Sequence, residues 1–420
     1  MRAHGTVRVP GDKSISHRAL ICASVASGES RIRGILRSAD VESTASVLRL
    51  LGAPIPPLSD DVSIAGVGFG GLRQSQIALQ CGNSGTTARI AAGVAAACPF
   101  ASRFEGDSSL SRRPMKRIAE PLTAMGARIE FDRGDGLPMT VHGGDISGIA
   151  WNTHAASAQT KSAILFAALV AGVSVTVREL RRSRDHTERM LMSLGVPMEI
   201  AETTVSLTPV AELDRLDLDM PADPSSAAYL AALGALAGEG EVRIPGVCIN
   251  PTRMGFLNAL TRMGASVRYT EKRHVAGEDT ATVVVAPRKL HGIRIGADEV
   301  PSMIDELPLI ACVAAASGVQ LEVSGAEELR VKESDRISVV VSNLRALGVE
   351  AEEKRDGFKV SAGGGVRPLR GRVTTHGDHR IAMSFGVLGY LDGSDIEIDD
   401  RECVAISYPA FWTDLASLVV

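Results

Sequence analysis

An α/β fold of two domains, made of six repeats of about 70 residues with three per domain, is predicted by three features of the sequence. A Leu/Met-Gly pair recurs five times, an alanine-rich apolar helix recurs six times in the same register, and short alternating strands follow each of these helices. At 420 residues the chain also exceeds the roughly 250–300 residues at which a single core stops growing, so two domains suit it better than one solenoid.

The first element of the repeat is an amphipathic helix closed by Leu51-Gly52-Ala53, Met125-Gly126-Ala127, Leu194-Gly195-Val196, Met263-Gly264-Ala265 or Leu347-Gly348-Val349. Each glycine stands where a helix end needs a left-handed residue. A sixth such helix is expected over 409–418. The second element is the alanine-rich helix, expected over 17–26, 86–97, 159–171, 225–237, 306–316 and 379–391. These stretches are apolar nearly all round and therefore belong in the interior, with strands and amphipathic helices outside them. Strands such as Val173-Ser-Val-Thr-Val177 and Val319-Gln-Leu-Glu-Val323 follow by alternation. The break between domains is placed near 245–251, where Pro, Gly and Asn cluster. Gly66-Val-Gly-Phe-Gly-Gly71 matches a dinucleotide-binding fingerprint in letters only. No acidic residue follows at the required offset and no long helix opens there, so a hairpin turn is expected.

Composition narrows the function classes. Aromatics are 4% of residues and the formal charge is −4, which argues against nucleic acid or an anionic membrane as the main partner. Six scattered cysteines, none in a C-x-x-C pair, favour reduced thiols in the cytoplasm over a disulfide framework or a zinc site. The first residues carry no apolar signal segment, and no apolar run approaches the length of a membrane span. No His/Cys/carboxylate group has metal-ligand spacing, so neither metal nor cofactor is expected.

The unusual chemistry lies in the loops that open the alanine-rich helices. Cys81-Gly-Asn-Ser-Gly-Thr-Thr-Ala-Arg89 joins a small polar loop to an apolar helix, whose first N–H groups and dipole favour an anion. Gly11-Asp-Lys-Ser-Ile-Ser-His-Arg18 crowds two cations and a histidine at one helix start and lacks the spacing of a Walker loop. Ala156-Ser-Ala-Gln-Thr-Lys161, Pro301-Ser-Met-Ile-Asp-Glu306 and Gly377-Asp-His-Arg380 open the third, fifth and sixth helices. Between them lie Arg112-Arg113-Pro114 and Arg330-Val-Lys-Glu-Ser-Asp-Arg336. Plainer readings exist: solvated arginines at 112–113, a salt-bridged helix face at 332–336, helix-capping carboxylates at 305–306. Yet an acidic chain that places Lys13, Arg18, Arg113, Lys332, Arg336 and Arg380 at equivalent repeat positions is expected to gather them around two highly charged anions.

The motifs GDKSISHRAL, GNSGTTAR, RRPM, SAQTKSA, DPSSAA, DELP, ELRVKESDRI and GDHRIAMSF, in this order over about residues 9–412, resemble the 3-phosphoshikimate 1-carboxyvinyltransferase (EPSP synthase) family. The resemblance implies an inside-out α/β barrel pair, with domains at 12–248 and at 1–11 plus 249–420 and the active site in the cleft between them. It implies transfer of the enolpyruvyl group of phosphoenolpyruvate to the 5-hydroxyl of shikimate 3-phosphate, in a cytoplasmic monomer. Carried over by motif, Lys13, Ser14, Arg18, Ser157, Ala158, Gln159, Arg184, Asp305 and Lys332 would hold shikimate 3-phosphate. Lys13, Asn83, Gly85, Arg113, Gln159, Arg336 and Arg380 would hold phosphoenolpyruvate. Asp305 is the candidate base, with Glu333 and Lys13 as candidates for the proton relay. Domain closure would bring the two sets of cations together and exclude water.

The chain departs from the family pattern at Ala158, where many members have serine, at Ile406, where many have lysine, and at Glu328, where one branch has asparagine. Gly85 implies inhibition by glyphosate in competition with phosphoenolpyruvate. Two rivals are carried: UDP-N-acetylglucosamine 1-carboxyvinyltransferase, whose loop cysteine is missing around Arg112-Arg113-Pro114, and a non-catalytic sugar-phosphate binding homologue, against which Asp305 and Glu333 speak.

Overall fold

The computed structural model describes residues 1–154, 157–363 and 368–420. Ala156, the first residue of the expected third helix-start loop, lies outside the described residues. The helices follow the repeat: α1 Lys13–Val25, α2 Ala39–Leu50, α3 Gly85–Ala96, α4 Lys116–Met125, α5 Ala158–Ala171 and α6 His186–Ser193. The second half continues with α7 Pro224–Leu236, α8 Gly255–Arg262, α9 Leu307–Ser317, α10 Arg336–Ala346, α11 His379–Leu388 and α12 Phe411–Ser417. The odd-numbered helices are the alanine-rich ones and are buried along nearly their whole length.

All five Leu/Met-Gly pairs end their helices in one way. Gly52, Gly126, Gly195, Gly264 and Gly348 have φ between 77° and 121°. In each case the glycine N–H reaches the carbonyl three residues back, and the next residue reaches five back, as Ala127 does to Leu122 at 3.1 Å. This double closure needs a left-handed residue and seats a small apolar residue against the helix it ends.

Helix starts are equally regular. Asp12, Ser84, Ser157, Asp223 and Asp378 each accept a backbone N–H from the first turn of α1, α3, α5, α7 and α11. Helix α9 instead follows the 3₁₀ turn Ile304–Glu306.

Six small sheets accompany these helices among the described residues, and none closes into a barrel. In the sheet Leu79–Gln80, Ala101–Glu105, Met139–His142, Arg128–Phe131, the first two strands are parallel and joined through α3, and the others add antiparallel. A parallel pair requires such a crossover. The sheets begun by Ala150–Asn152 and Ile293–Ile295 repeat this order around α5 and α9. The glycine-rich stretch at 66–71 is a correction: the chain turns there at the end of strand Asp61–Val67, but the next strand, Leu79–Gln80, joins another sheet, so no hairpin forms.

The chain divides into an N-terminal unit, Gly11–Met220 with Val275–Glu278, and a C-terminal unit, Met1–Pro10, Pro221–His274 and Asp279–Val420. The division falls at Met220/Pro221 rather than at 248/249. The reason is that α7 runs directly into strand Val242–Cys248, which pairs parallel with Gly5–Thr6. Each unit thereby holds three alanine-rich helices: α1, α3 and α5 in the first, α7, α9 and α11 in the second. In the N-terminal unit α3 and α5 approach so closely that a Cβ at Gly93 would lie 2.3 Å from the Ala163 carbonyl. In the C-terminal unit, Tyr229 of α7 is fully buried with its ring edge-on to Phe411 at 5.6 Å.

Candidate active site

In the N-terminal unit the first turns of α1, α3 and α5 are tied to one another by side chains. Arg18 is buried on α1, donating Nε to Thr187 Oγ1 at 2.6 Å, Nη1 to the Ser14 carbonyl at 2.8 Å and Nη2 to Ser162 Oγ of α5 at 2.7 Å. Burial pushes its pKa down to about 10, opposed by the carboxylates of Glu188 and Asp12 and aided by the like charge of Arg184. Lys13, the first residue of α1, donates to Asp40 Oδ2 at 3.0 Å. His17 lies buried behind it, its Nδ1 2.6 Å from Thr44 Oγ1, which in turn meets Thr87 Oγ1 of α3 at 2.6 Å.

Gln159 of α5 is held from two sides. Its Oε1 accepts from Arg89 Nη1 at 2.8 Å, and its Nε2 donates to Thr86 Oγ1 at 2.9 Å. Arg89 also donates to the Pro114 carbonyl at 3.2 Å, so the residue expected to sit one turn into α3 is a buried brace. Arg113 is buried too, with Nη2 on Asn83 Oδ1 at 2.5 Å and on Ser109 Oγ at 3.2 Å, whereas Arg112 is exposed. Asn83 spans from Arg113 to Asp107 Oδ2, 2.7 Å from its Nδ2. These bonds fix the orientation of the Arg113 guanidinium. Gly85 opens α3, and a Cβ there would meet Arg89 Nη1 at 2.7 Å.

Ser157 caps α5, and Ala158 offers only its carbonyl, which accepts from Ser162 Oγ at 2.6 Å. Beside Ser157 opens a cavity of about 320 Å³, whose lining includes Pro114, Lys116, Arg117, Trp151 and Thr160. Arg184 lies half-buried in the loop before α6.

In the C-terminal unit the charges converge on Arg336, the first residue of α10, which is 1% exposed. Its Nε and Nη2 donate to the Asp378 carboxylate at 2.8 and 3.2 Å, Nη2 to Glu333 Oε2 at 2.8 Å, and Nη1 to Asp305 Oδ1 at 3.2 Å. Asp378, Glu333 and Asp305 together hold its pKa above the usual value against the cost of burial. Lys332 Nζ lies 4.0 Å from Asp305 Oδ1. Its pKa is lowered, chiefly by burial, with Asp305 opposing and Arg336 adding to the shift. Arg380 of α11 is buried with Nη1 3.7 Å from Glu306 Oε1 and 3.5 Å from the Tyr229 hydroxyl.

Each unit thus assembles its own share of the expected residues. Lys13, Ser14, Arg18, Asn83, Gly85, Arg113, Ser157, Ala158, Gln159 and Arg184 lie in the N-terminal unit, and Asp305, Lys332, Glu333, Arg336 and Arg380 in the C-terminal one. The segment 332–336 is not a salt-bridged helix face, because α10 begins only at Arg336 after a 3₁₀ turn over Glu327–Val331. Ile406 packs against the core of its unit and brings no cation, while Glu328 lies close enough to act on Lys332 electrostatically. Asp378 was missed by sequence reasoning except as part of a motif. Its signal was an aspartate two residues before the basic side chain at a predicted helix start.

Comparison with known proteins bears on the family and the fold. The EPSP synthase (3-phosphoshikimate 1-carboxyvinyltransferase) family pattern matches residues 1–415. A 3-phosphoshikimate 1-carboxyvinyltransferase of Sulfurihydrogenibium sp. (strain YO3AOP1) is 44% identical over 99% of this chain and 97% of that protein. One from Aquifex aeolicus (strain VF5) is 43% identical over 100% and 98%. The solved EPSP synthase from Acinetobacter baumannii superposes with a TM-score of 0.86 at 38% identity, covering 100% of this chain and 96% of that one. The enolpyruvyl transferase NikO from Streptomyces tendae, at 18% identity and a TM-score of 0.77 over 99% and 95%, shares the fold. With a match that spans both units and every charged helix start, the chain belongs to the EPSP synthase family.

Proposed function

We propose that the protein transfers the enolpyruvyl group of phosphoenolpyruvate to the 5-hydroxyl of shikimate 3-phosphate, releasing phosphate. The observation that carries this reading is the setting of Asp305, whose carboxylate touches Arg336 at 3.2 Å and has Lys332 at 4.0 Å. A protein that only bound anions would gain nothing from a carboxylate there. A transferase needs one where it binds anions, to take the hydroxyl proton.

Lys13, Ser14, Arg18, Ser157, Ala158, Gln159, Arg184, Asp305 and Lys332 are assigned to shikimate 3-phosphate. Lys13, Asn83, Gly85, Arg113, Gln159, Arg336 and Arg380 are assigned to phosphoenolpyruvate. Asp305 accepts the proton of the 5-hydroxyl as that hydroxyl's oxygen bonds to C2 of phosphoenolpyruvate, and C3 gains a proton to give a tetrahedral ketal. Loss of a C3 proton then expels phosphate and forms the enol ether. Glu333 and Lys13 are the relay candidates for the C3 proton. The arginines bind the charge that shifts onto carboxylate and phosphate oxygens during both steps. The reading includes a cytoplasmic monomer: the six cysteines are buried and form no disulfide among the described residues, as suits a reducing compartment.

A phosphate-release assay decides it. Release is expected with phosphoenolpyruvate and shikimate 3-phosphate together and with neither alone. Release with UDP-N-acetylglucosamine in place of shikimate 3-phosphate, or no release with either acceptor, overturns the proposal.

A further inference from the structure

Lys161 is 1% exposed on α5, three residues past Ala158, and is too deep to touch a substrate. Its ammonium sits 2.7 Å from Glu179 Oε2 and 2.7 Å from Glu188 Oε1, both carboxylates being equally buried. Three charges without solvent are expensive to bury and persist where a particular geometry is needed.

Each carboxylate leads to a different arginine. Glu179 accepts from the Ser183 hydroxyl and from the Ser183 N–H at 3.3 Å, fixing the residue next to Arg184. On the other side of Arg184, Asp185 is held by Arg182 at 2.8 Å and Arg189 at 2.9 Å. Glu188 follows Thr187, whose hydroxyl accepts from Arg18 Nε at 2.6 Å and meets Ser162 Oγ at 2.7 Å. Ser162, another acceptor of Arg18, is the residue after Lys161. Glu188 also supplies the largest charge that keeps Arg18 protonated against burial.

We propose that Lys161 is a positioning residue for the acceptor phosphate: one buried ammonium fixes α5, α6 and the loop between them so that Arg18 and Arg184 face one anion. The proposal rests on the assignment of those arginines to shikimate 3-phosphate. The Asn83–Arg113 pair is held by Asp107 and Ser109 instead, so this part of the phosphoenolpyruvate side, unlike Gln159 of α5, is an internal control.

Lys161→Met keeps the length of the side chain and removes its charge. It is expected to raise KM for shikimate 3-phosphate by about tenfold or more while KM for phosphoenolpyruvate stays within about threefold. A merely structural lysine would lower the melting temperature without separating the two KM values. Removing one partner of a buried ionic group endangers folding, so a second variant is needed. Ser183→Ala with Thr187→Val removes the hydroxyl bond of Ser183 to Glu179 and that of Thr187 to Arg18, and leaves the ion triad intact. This pair is expected to give most of the Lys161→Met effect with a wild-type-like melting curve. Unchanged KM for shikimate 3-phosphate in a folded Lys161→Met variant, or in the double variant, overturns the inference. Absence of acceptor-dependent phosphate release in the wild type overturns the functional reading, and this inference with it.

Discussion

Arg336 and Asp378 form a two-point pair, Nε and Nη2 on the two carboxylate oxygens at 2.8 and 3.2 Å, and the same carboxylate accepts the Arg380 N–H at 2.9 Å to cap α11. One aspartate therefore sets both a guanidinium at the start of α10 and the helix that carries Arg380. Asp378→Ala removes the cap and a buried counter-charge, and a loss of about 3–5 kcal/mol is expected in urea unfolding. Asp378→Asn keeps a good cap and should be the more stable of the two by about 1 kcal/mol. Both variants should raise KM for phosphoenolpyruvate more than KM for shikimate 3-phosphate. Equal effects on the two would count against the assignment of Arg336.

Asp305→Ala tests the base. A true base contributes about 10²–10⁴-fold, so kcat should fall by that factor. Turnover within a few-fold of wild type would move the base elsewhere.

His17 makes stability depend on pH. Burial first, then the charges of Lys13 and Arg18, pushes its pKa well below the ordinary imidazole value. The unfolded chain therefore takes up this proton before the folded one, once the pH falls below about 6.5. The contribution is present at neutral pH and is lost on acidification through that window, by at most about 1.4 kcal/mol per pH unit. His17→Gln lacks the titration, so the stability gap between wild type and variant should narrow as the pH falls from 7.5 to 5. A constant gap would contradict the burial argument.

Gly85→Ala places a methyl group against the far end of Arg89, a flexible side chain that can give way. Stability should change by less than about 1 kcal/mol. The bond from Arg89 to Gln159 must shift, however, so KM for phosphoenolpyruvate should rise. Glyphosate should compete with phosphoenolpyruvate in the wild type and inhibit the variant on the order of tenfold less strongly. Non-competitive inhibition of the wild type would place that ligand at another site.

Much of this fold could be read in advance because its rules are local. The five Gly-closed helices rest on a φ requirement at a single residue, and the alanine-rich helices on apolar character over a dozen neighbours. Their expected ends lie within about three or four residues of those observed, the usual fraying error. The unit boundary was misplaced because Pro245 and Pro251 look like a linker. The strand Val242–Cys248 that contains Pro245 is held by the later strand Glu278–Ala286 and by Gly5–Thr6, more than 230 residues away. The site was legible in the same partial way. Residue types at helix starts marked Lys13, Arg113, Asp305 and Arg380, but their partners come from afar. Asp378 is 42 residues from Arg336, and Gln159 is 70 from Arg89. Lys161 showed no periodic or motif signal beyond its place in SAQTKSA, since a lysine in an apolar helix makes sense only once Glu179 and Glu188 are seen around it.

The pairing of Gly5–Thr6 with Val242–Cys248, and of His4 and Arg2 with the Leu418 carbonyl and Val420 N–H at 2.8 and 3.0 Å, bears on how the chain matures on the ribosome. Residues 11–220 carry all of the N-terminal unit except Val275–Glu278. Residues 1–10 gain their strand partner only once residues 239–248 have been made. At about 5–20 residues per second, the segment waits tens of seconds for that partner.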